Sequence, residues 1–524
     1  MNNELIQTKV LIIGSGIAGL TAAIELADNN IASTVITRSS DITNSNTKRA
    51  QGGIIYTGVG DSQELLAKDI MAAGAGLCHI DAVNLLAKKG PQYLEKLLLN
   101  KLGIEFDKKD HVLATCKEAA HSVERIIHAK DATGKAIQQG LTEEALRNPL
   151  IDILNNHTAI DLITPDHHST NKLNVYQRKS CVGAYVLDSN SSKVRRIIAD
   201  HTIIASGGLG RIYLHSSNPK GARGDGIAMA NRAGARIINT EYIQFHPTTF
   251  YKKGADNFLI SEAVRGAGAK LVDANGQPFM QKYAPKWLDL APRDVVSRSI
   301  FTEMTINDTP CMYLDIKSQL PANEIINRFP TIYDYCLKHD IDITQQLIPV
   351  TPAAHYSCGG IWVDQMGKTD IDQLYAIGEV ACTGLHGANR LASTSLLEGL
   401  VWGIESAQDI IANKSSKVFD HCSIPSWQSN ENNFADEVLI QHDIQRIQSL
   451  MWNYVGVSRS PERLIRALRE LRNLETDIEQ FYRNNKVSDD LIGLRNSVRT
   501  AIIITLAAWS NKTSIGCHFR EDAQ

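Results

Sequence analysis

At 524 residues, with 43% hydrophobic and 21% charged content, the chain is long enough for two or three domains with sizeable cores. Lys and Arg number 54 against 57 Asp and Glu, and a net charge of -3 gives no electrostatic case for nucleic acid or an anionic membrane. No apolar run reaches the roughly 18–20 residues that span a bilayer; the nearest, Leu11–Ala27, is broken by Glu25 and by Gly14, Gly16 and Gly19.

The N-terminus carries Glu4 and no basic stretch, which argues against a signal peptide. Nine scattered cysteines with no Cys-x-x-Cys pair suit a reducing, cytoplasmic setting better than a disulfide or iron–sulfur framework, and no metal site is read. Thr8–Ile13 reads as a short buried strand, Ala18–Ala27 as the helix after it and Ala32–Thr37 as a second strand, a β-α-β start. Between the first two lie Gly14, Ser15, Gly16, Ile17, Ala18 and Gly19, a G-x-G-x-x-G turn. The first glycine permits the tight turn, the second lets backbone approach a pyrophosphate, and the third lets helix and strand pack closely. The acid usually found about 20 residues on is missing. Thr37-Arg38 stands there instead, and Arg38 is open to two readings, the adenosine end of a dinucleotide or plain surface.

Farther on, Asn46, Thr47, Lys48, Arg49, Ala50, Gln51, Gly52 and Gly53 offer backbone amides, small residues and an amide side chain, a loop able to approach a flavin ring. Lys48 and Arg49 are also read as contacts to phosphate, tuners of the ring or solvent-facing cations. Ala199–Gly210 reads as another buried strand ending in a glycine-rich turn, and Ala222–Gly226 places Asp225 in a glycine-rich loop before a helix. From about Thr240 to Pro349 the β-α-β rhythm is lost, as in an inserted domain. It returns over Gly359–Ala407, with a strand at Leu374–Ile377 and a helix at Ser395–Ala407. Glu379, just after that strand, suits a ribityl or ribose hydroxyl; Ser395 and Leu396 open a helix whose N-terminus suits the electron-rich edge of a flavin. Lys414–Asn433 is polar and reads as a linker. Ser460-Pro461 is a helix start, followed by Leu464, Leu468, Leu471 and Ile478 at helical spacing. The expected fold is α/β (α+β overall): a Rossmann-like FAD-binding domain in residues 1–239 and 354–413, a capping domain inserted at 240–353, and a linker and helical domain at 414–524.

Seven strings in order resemble the succinate dehydrogenase/fumarate reductase flavoprotein family: Arg49-Ala-Gln-Gly-Gly53, Gly224-Asp-Gly226, Gln244-Phe-His-Pro-Thr248, Ser261-Glu-Ala-Val-Arg265-Gly266, Ala291-Pro-Arg293-Asp294, Thr351 to Gly360, and His386-Gly-Ala-Asn-Arg390. The resemblance runs from about Val10 to at least Gly516 and is nearest the family's L-aspartate oxidase branch. It implies FAD as cofactor. Members that bind FAD covalently do so through a His in an H-T-x-x-A-Q-G-G loop; Asn46 stands at that position and an amide cannot form the link, so the implied FAD is non-covalent. Glu118 matches the carboxylate that faces the substrate amino group in the aspartate-oxidising branch; on its own it reads equally as a surface acid.

The resemblance assigns substrate carboxylates to Arg390, His355 and His246 with help from Gln244 and Ser261, donors of the kind a dicarboxylate needs at both ends. Each histidine alone would more often be structural. Arg293 matches the proton-transfer residue, with Glu262 and Arg265, spaced i, i+3, as a relay. For aspartate oxidation an electrostatic clamp is the milder reading, and an ordinary ion pair with Asp294 or another acid the plainest. The activity implied is oxidation of L-aspartate to iminoaspartate with O2 or fumarate as acceptor, the first step of de novo NAD synthesis, with hand-off to a quinolinate synthase. The oligomeric reading is a monomer or weak homodimer. A soluble fumarate reductase or succinate dehydrogenase flavoprotein subunit is the alternative on the same fold; a flavin-binding regulatory protein without turnover is the alternative of another class.

Overall fold

The computed structural model describes residues 5–118, 120–413, 420–428 and 433–523. Glu4, Gln524 and part of the Lys414–Asn433 segment lie outside them. The first strand, Leu5–Ile13, is buried at Val10–Ile13 on both faces, as the centre of a parallel sheet covered by helices requires. It pairs in parallel with Ser33–Thr37 on one side and Lys193–Ile204 on the other. The sheet has seven strands. Six run in the order Ile151–Asn155, Ser33–Thr37, Leu5–Ile13, Lys193–Ile204, Gly183–Asp188, His157–Leu162, the last two antiparallel. The seventh, Leu374–Ala376, pairs in parallel with Thr202–Ile204, and so returns the chain to the sheet beside the glycine loop. Helix Ile17–Asp28 follows that loop and packs on helix Thr394–Ala412. The strand expected within Ala199–Gly210 begins earlier, at Lys193; its charged first half, Lys193, Arg195 and Arg196, hid a hairpin with Gly183–Asp188.

A four-stranded antiparallel sheet forms the inserted cap, in the order Ile243–Phe250, Ile348–Ser357, Met312–Asp315, Lys270–Val272. Its core gathers Phe250, Val264, Leu271, Val296, Ile300, Leu314 and Val350. The two long strands serve both bodies: Phe245 and Ala354 pack in the core of the first domain, Phe250 and Val350 in that of the cap. The pairing between them slips at Gln244/Phe245 and again between His246 and Thr249. Pro247 has no N–H to give the ladder, and bulges bend a strand and re-aim its side chains.

Helices Glu437–Tyr454, Pro461–Asn484 and Asp489–Ser510 form a C-terminal bundle. Ser460 caps the second by accepting from the Arg463 amide, and Leu464, Ala467, Leu471, Leu474 and Ile478 form its buried stripe; Leu468 lies at the margin. Helix Asp489–Ser510 corrects one expectation. Its 22 residues contain an 18-residue stretch of mean hydropathy 1.3, long and apolar enough to cross a membrane. It is apolar because it is a core helix: 72% of that stretch is buried, packed against the other two helices and Asp225–Ala233. The described part of the expected linker is tied down. Ile424 is buried, Tyr185 donates to the Pro425 carbonyl at 2.9 Å, and Trp427 packs edge-on to Tyr185.

Candidate active site

One cavity runs from the glycine loop to the cap and gathers residues from the glycine loop, the 46–53 loop and each of the seven family strings. At the dinucleotide end Gly14, Ser15, Gly16, Ile17 and Ala18 line it, while Gly19 stands beneath. Gly14 has φ 123°, and a Cβ there would meet the Ala205 carbonyl oxygen at 2.1 Å; a Cβ on Gly19 would meet the Gly14 oxygen at the same distance. Only glycine allows that crossing of strand, turn and helix.

Asn46, Thr47, Arg49, Ala50, Gln51, Gly52 and Gly53 also face the cavity. Lys48 does not: its ammonium turns outward to Asp41 at 3.2 Å and Thr43 at 2.7 Å. Arg38 is on the wall, held by Asp489 at 3.0 Å. Asp225 lines the same end, bound by Arg223 at 3.0 Å and Asn496 at 2.9 Å. Glu379 accepts from the Asn46 side-chain amide at 2.8 Å and the Ser357 backbone at 3.2 Å, and burial pushes its carboxyl up to about 7. Ser395 and Leu396 lie at the cavity in the first turn of Thr394–Ala412. Two buried polar atoms here, Gln51 Oε1 and Ser206 Oγ, have no partner within the protein. A glycine cradle, a helix start and unpartnered acceptors and donors fit a bound dinucleotide.

At the cap end, the arginines converge. Arg390 lies with its guanidinium 4.8 Å over the Tyr356 ring and donates to Ser395 at 3.2 Å, leaving buried Nε without a partner. Arg293, at the first turn of helix Arg293–Ile306, donates to Glu262 at 2.9 Å. Its neighbour Asp294 pairs with Arg298 instead. Gln244 is not on the cavity surface; it stands behind as a bracket, its Oε1 accepting from Arg390 at 3.1 Å and Arg293 at 3.4 Å. Arg265 is likewise set back, fully buried, 3.7 Å from Glu262 and bonded to the Asp289 carbonyl. So Arg265, Glu262 and Arg293 form a continuous charged row, only the last two on the cavity.

His246 and His355 face one another with ring centres 5.2 Å apart. Burial holds both well below the usual imidazole range, helped at His246 by Arg293 and at His355 by Arg390. Each is therefore neutral and able to donate from one nitrogen. Ser261 caps a short helical turn through the Ala263 amide at 3.3 Å and reaches the cavity. Glu118 completes the set, its carboxylate accepting from Ser393 at 2.8 Å. Burial and Glu262 raise this carboxyl; Arg293, Ser393 and Arg390 oppose them.

The FAD binding domain family matches residues 9–396, and the fumarate reductase flavoprotein C-terminal family matches 444–524. L-aspartate oxidase 1 of Ralstonia nicotianae is 44% identical over 516 residues, covering 98% of this chain and 95% of that protein. The L-aspartate oxidase of Pseudomonas aeruginosa is 43% identical at the same coverage. The chain belongs to the L-aspartate oxidase family. Among solved structures, an E. coli quinol fumarate reductase superposes with TM-score 0.87 at 27% identity, over 99% of this chain and 92% of that one. The Mycobacterium smegmatis Sdh1 gives 0.81 at 27% identity, over 99% and 89%. The cofactor of this L-aspartate oxidase family member is FAD.

Several site residues of this family member escaped the sequence reading. Tyr356, under Arg390, donates to buried Glu398 at 2.7 Å, and Glu398 is also 2.9 Å from His386 and accepts from Thr383 at 2.7 Å. Ser217 is 2.8 Å from His355 Nδ1. Ser393 holds Glu118. Tyr356 and His386 stood inside quoted strings, and Ser393 lay between Arg390 and Ser395; Ser217 and Glu398 carried no signal of their own.

Proposed function

We propose that this protein oxidises L-aspartate to iminoaspartate, using non-covalently bound FAD, with O2 or fumarate as terminal acceptor. One observation carries the reading: at the cap end Glu118 faces Arg390, Arg293, His246 and His355 across the cavity without an ion-pair partner of its own among the described residues, whereas Glu262, the other carboxylate there, is already paired with Arg293 at 2.9 Å, and the cavity is continuous with the dinucleotide loop. A substrate with two carboxylates and one ammonium matches that charge pattern; a plain dicarboxylate leaves the half-buried Glu118 facing like charge.

Arg390 gives a forked contact to one carboxylate. The neutral histidines donate to the other without adding charge. Arg293, fixed by Glu262, stabilises negative charge, and the row Arg265–Glu262–Arg293 leads protons to the site when fumarate is the acceptor. The cofactor supplies a two-electron acceptor for hydride. Gly14, Gly16 and the Ile17 helix start would hold its pyrophosphate, Glu379 and Asp225 its hydroxyls, and the Gln51–Gly53 stretch its ring.

Iminoaspartate is unstable in water, so a consuming enzyme nearby, a quinolinate synthase in de novo NAD synthesis, completes the reading. The test is anaerobic mixing of the flavin-loaded protein with L-aspartate or with succinate. L-aspartate is expected to bleach the flavin absorbance; bleaching by succinate alone would make this a succinate dehydrogenase or fumarate reductase component instead.

A further inference from the structure

Ser393 stands at the N-cap of helix Thr394–Ala412 but does not cap it. An N-cap serine ordinarily has extended backbone and accepts from an amide of the first turn. Ser393 instead has φ 58° and ψ 11°, the left-handed region, and its side chain makes no cap bond. A serine there carries backbone strain. Its hydroxyl donates sideways to Glu118 Oε2 at 2.8 Å. Beside that hydroxyl, a Cβ on Gly52 would lie 3.0 Å from Glu118 Oε1 and 3.6 Å from Ser393 Oγ. The Glu118 carboxylate thus sits where the cofactor loop meets Ser393.

The two segments are tied from both directions. His121 Nε2 is 3.1 Å from the Ala392 carbonyl, and the Ser393 carbonyl accepts from the Ile55 amide at 3.4 Å. Ser122 donates its backbone N–H to Asp69 at 2.9 Å, and Asp69 is paired with fully buried Arg125 at 2.7 Å.

We propose that Ser393 is a positioning residue for substrate selection: its hydroxyl holds the Glu118 carboxylate where it meets the ammonium of an α-amino dicarboxylate. This rests on the functional reading above and deepens it. The strained backbone is explained by the aim it gives the hydroxyl, since an extended N-cap would turn that hydroxyl toward its own helix.

The charged groups facing Glu118 are Glu262, Arg293 and Arg390, with the Cys116 thiol nearby. Burial and Glu262 already raise the Glu118 carboxyl, so losing the Ser393 donor raises it further. Pairing with the ammonium needs the ionised form; hence the acid limb of kcat/KM for L-aspartate must move to higher pH.

The test compares Ser393→Gly with Ser393→Asn in the flavin-loaded enzyme. Glycine is at ease at this φ and keeps the backbone path while deleting the hydroxyl. Asparagine tolerates the left-handed region and restores a donor. Turnover of L-aspartate is followed across pH, and succinate affinity by perturbation of the flavin spectrum. The Gly variant is expected to lose roughly ten-fold in kcat/KM for L-aspartate and to shift its acid limb up by about one unit. Its succinate affinity should not fall, and the Asn variant should recover much of the loss. Equal losses on both ligands, or none on L-aspartate, would overturn the proposal. A wild-type protein that binds succinate but never turns over L-aspartate would overturn the functional reading and this one together; an active wild type with an unaltered Gly variant overturns this one alone.

Discussion

Arg293 illustrates how a single residue can be legible in type and not in setting. Its place in Ala291-Pro-Arg293-Asp294 points to chemistry, with Asp294 or another acid as the plain ion-pair partner and Glu262 named only by the resemblance. In the fold it begins a helix, where the dipole disfavours a cation, and Glu262 from another segment holds it at 2.9 Å. Arg293→Ala should cut L-aspartate turnover by roughly a hundred-fold or more, with the flavin retained and succinate still perturbing its spectrum; turnover within a few-fold of wild type would remove Arg293 from the mechanism. Asn46 is a second residue-scale case. Its side-chain amide donates to Glu379, and an amide offers no nucleophile for a flavin link, so acid precipitation should leave the yellow colour in the supernatant. A coloured pellet would contradict the non-covalent reading.

At the scale of elements, the glycine turn, the flanking strands and the Ser460-Pro461 helix start were readable because each rests on local chemistry: tight backbone, continuous apolar sequence, a cap. Gly14→Ala tests the strongest of these. The added Cβ meets the Ala205 backbone at 2.1 Å in a conformation that L side chains rarely adopt, so strand Lys193–Ile204 must shift and the variant should be purified without flavin; a yellow Gly14→Ala protein with normal FAD affinity would contradict this. What local chemistry did not carry was pairing at a distance. The charged start of Lys193–Ile204 concealed a hairpin, and the slip at His246 follows from Pro247 meeting the Ile348–Ser357 strand, a partner about a hundred residues away that no local pattern names. Gln244, set behind two arginines as their bracket, was read as a direct contact for the same reason: its string gave the residue type, and only the bulge decides which way the side chain turns.

For the whole molecule, two bodies line the cavity, and a third, the least expected contributor, braces its wall from behind. Sequence placed the C-terminal helices as a separate bundle, yet the first residue of Asp489–Ser510 bonds wall residues at the glycine-loop end of the cavity. Asp489 bonds Arg38 at 3.0 Å, Arg223 at 3.1 Å and Thr158 at 2.8 Å, while Asn496, two turns on, holds Asp225 at 2.9 Å. Arg38 stands where the usual ribose acid is missing, and its partner Asp489 comes from the far end of the chain and lies behind the cavity wall. Arg223 and Arg38 hold the Asp489 carboxyl below the ordinary range against its burial, so it is ionised in the fold, and removing its charge leaves Arg38 without its ion-pair partner on the cavity wall. Asp489→Asn keeps the shape and one acceptor but loses the charge. Its FAD dissociation constant is expected to rise roughly ten-fold, the order of one charge-assisted bond, while the KM for L-aspartate in excess FAD, set at the cap end, stays near the wild-type value. Because FAD binds only the folded state, the same substitution should lower the melting temperature more with FAD present than without it. An equal drop in both conditions would mean that Asp489 only holds the bundle to the sheet, with no hand in the cofactor site.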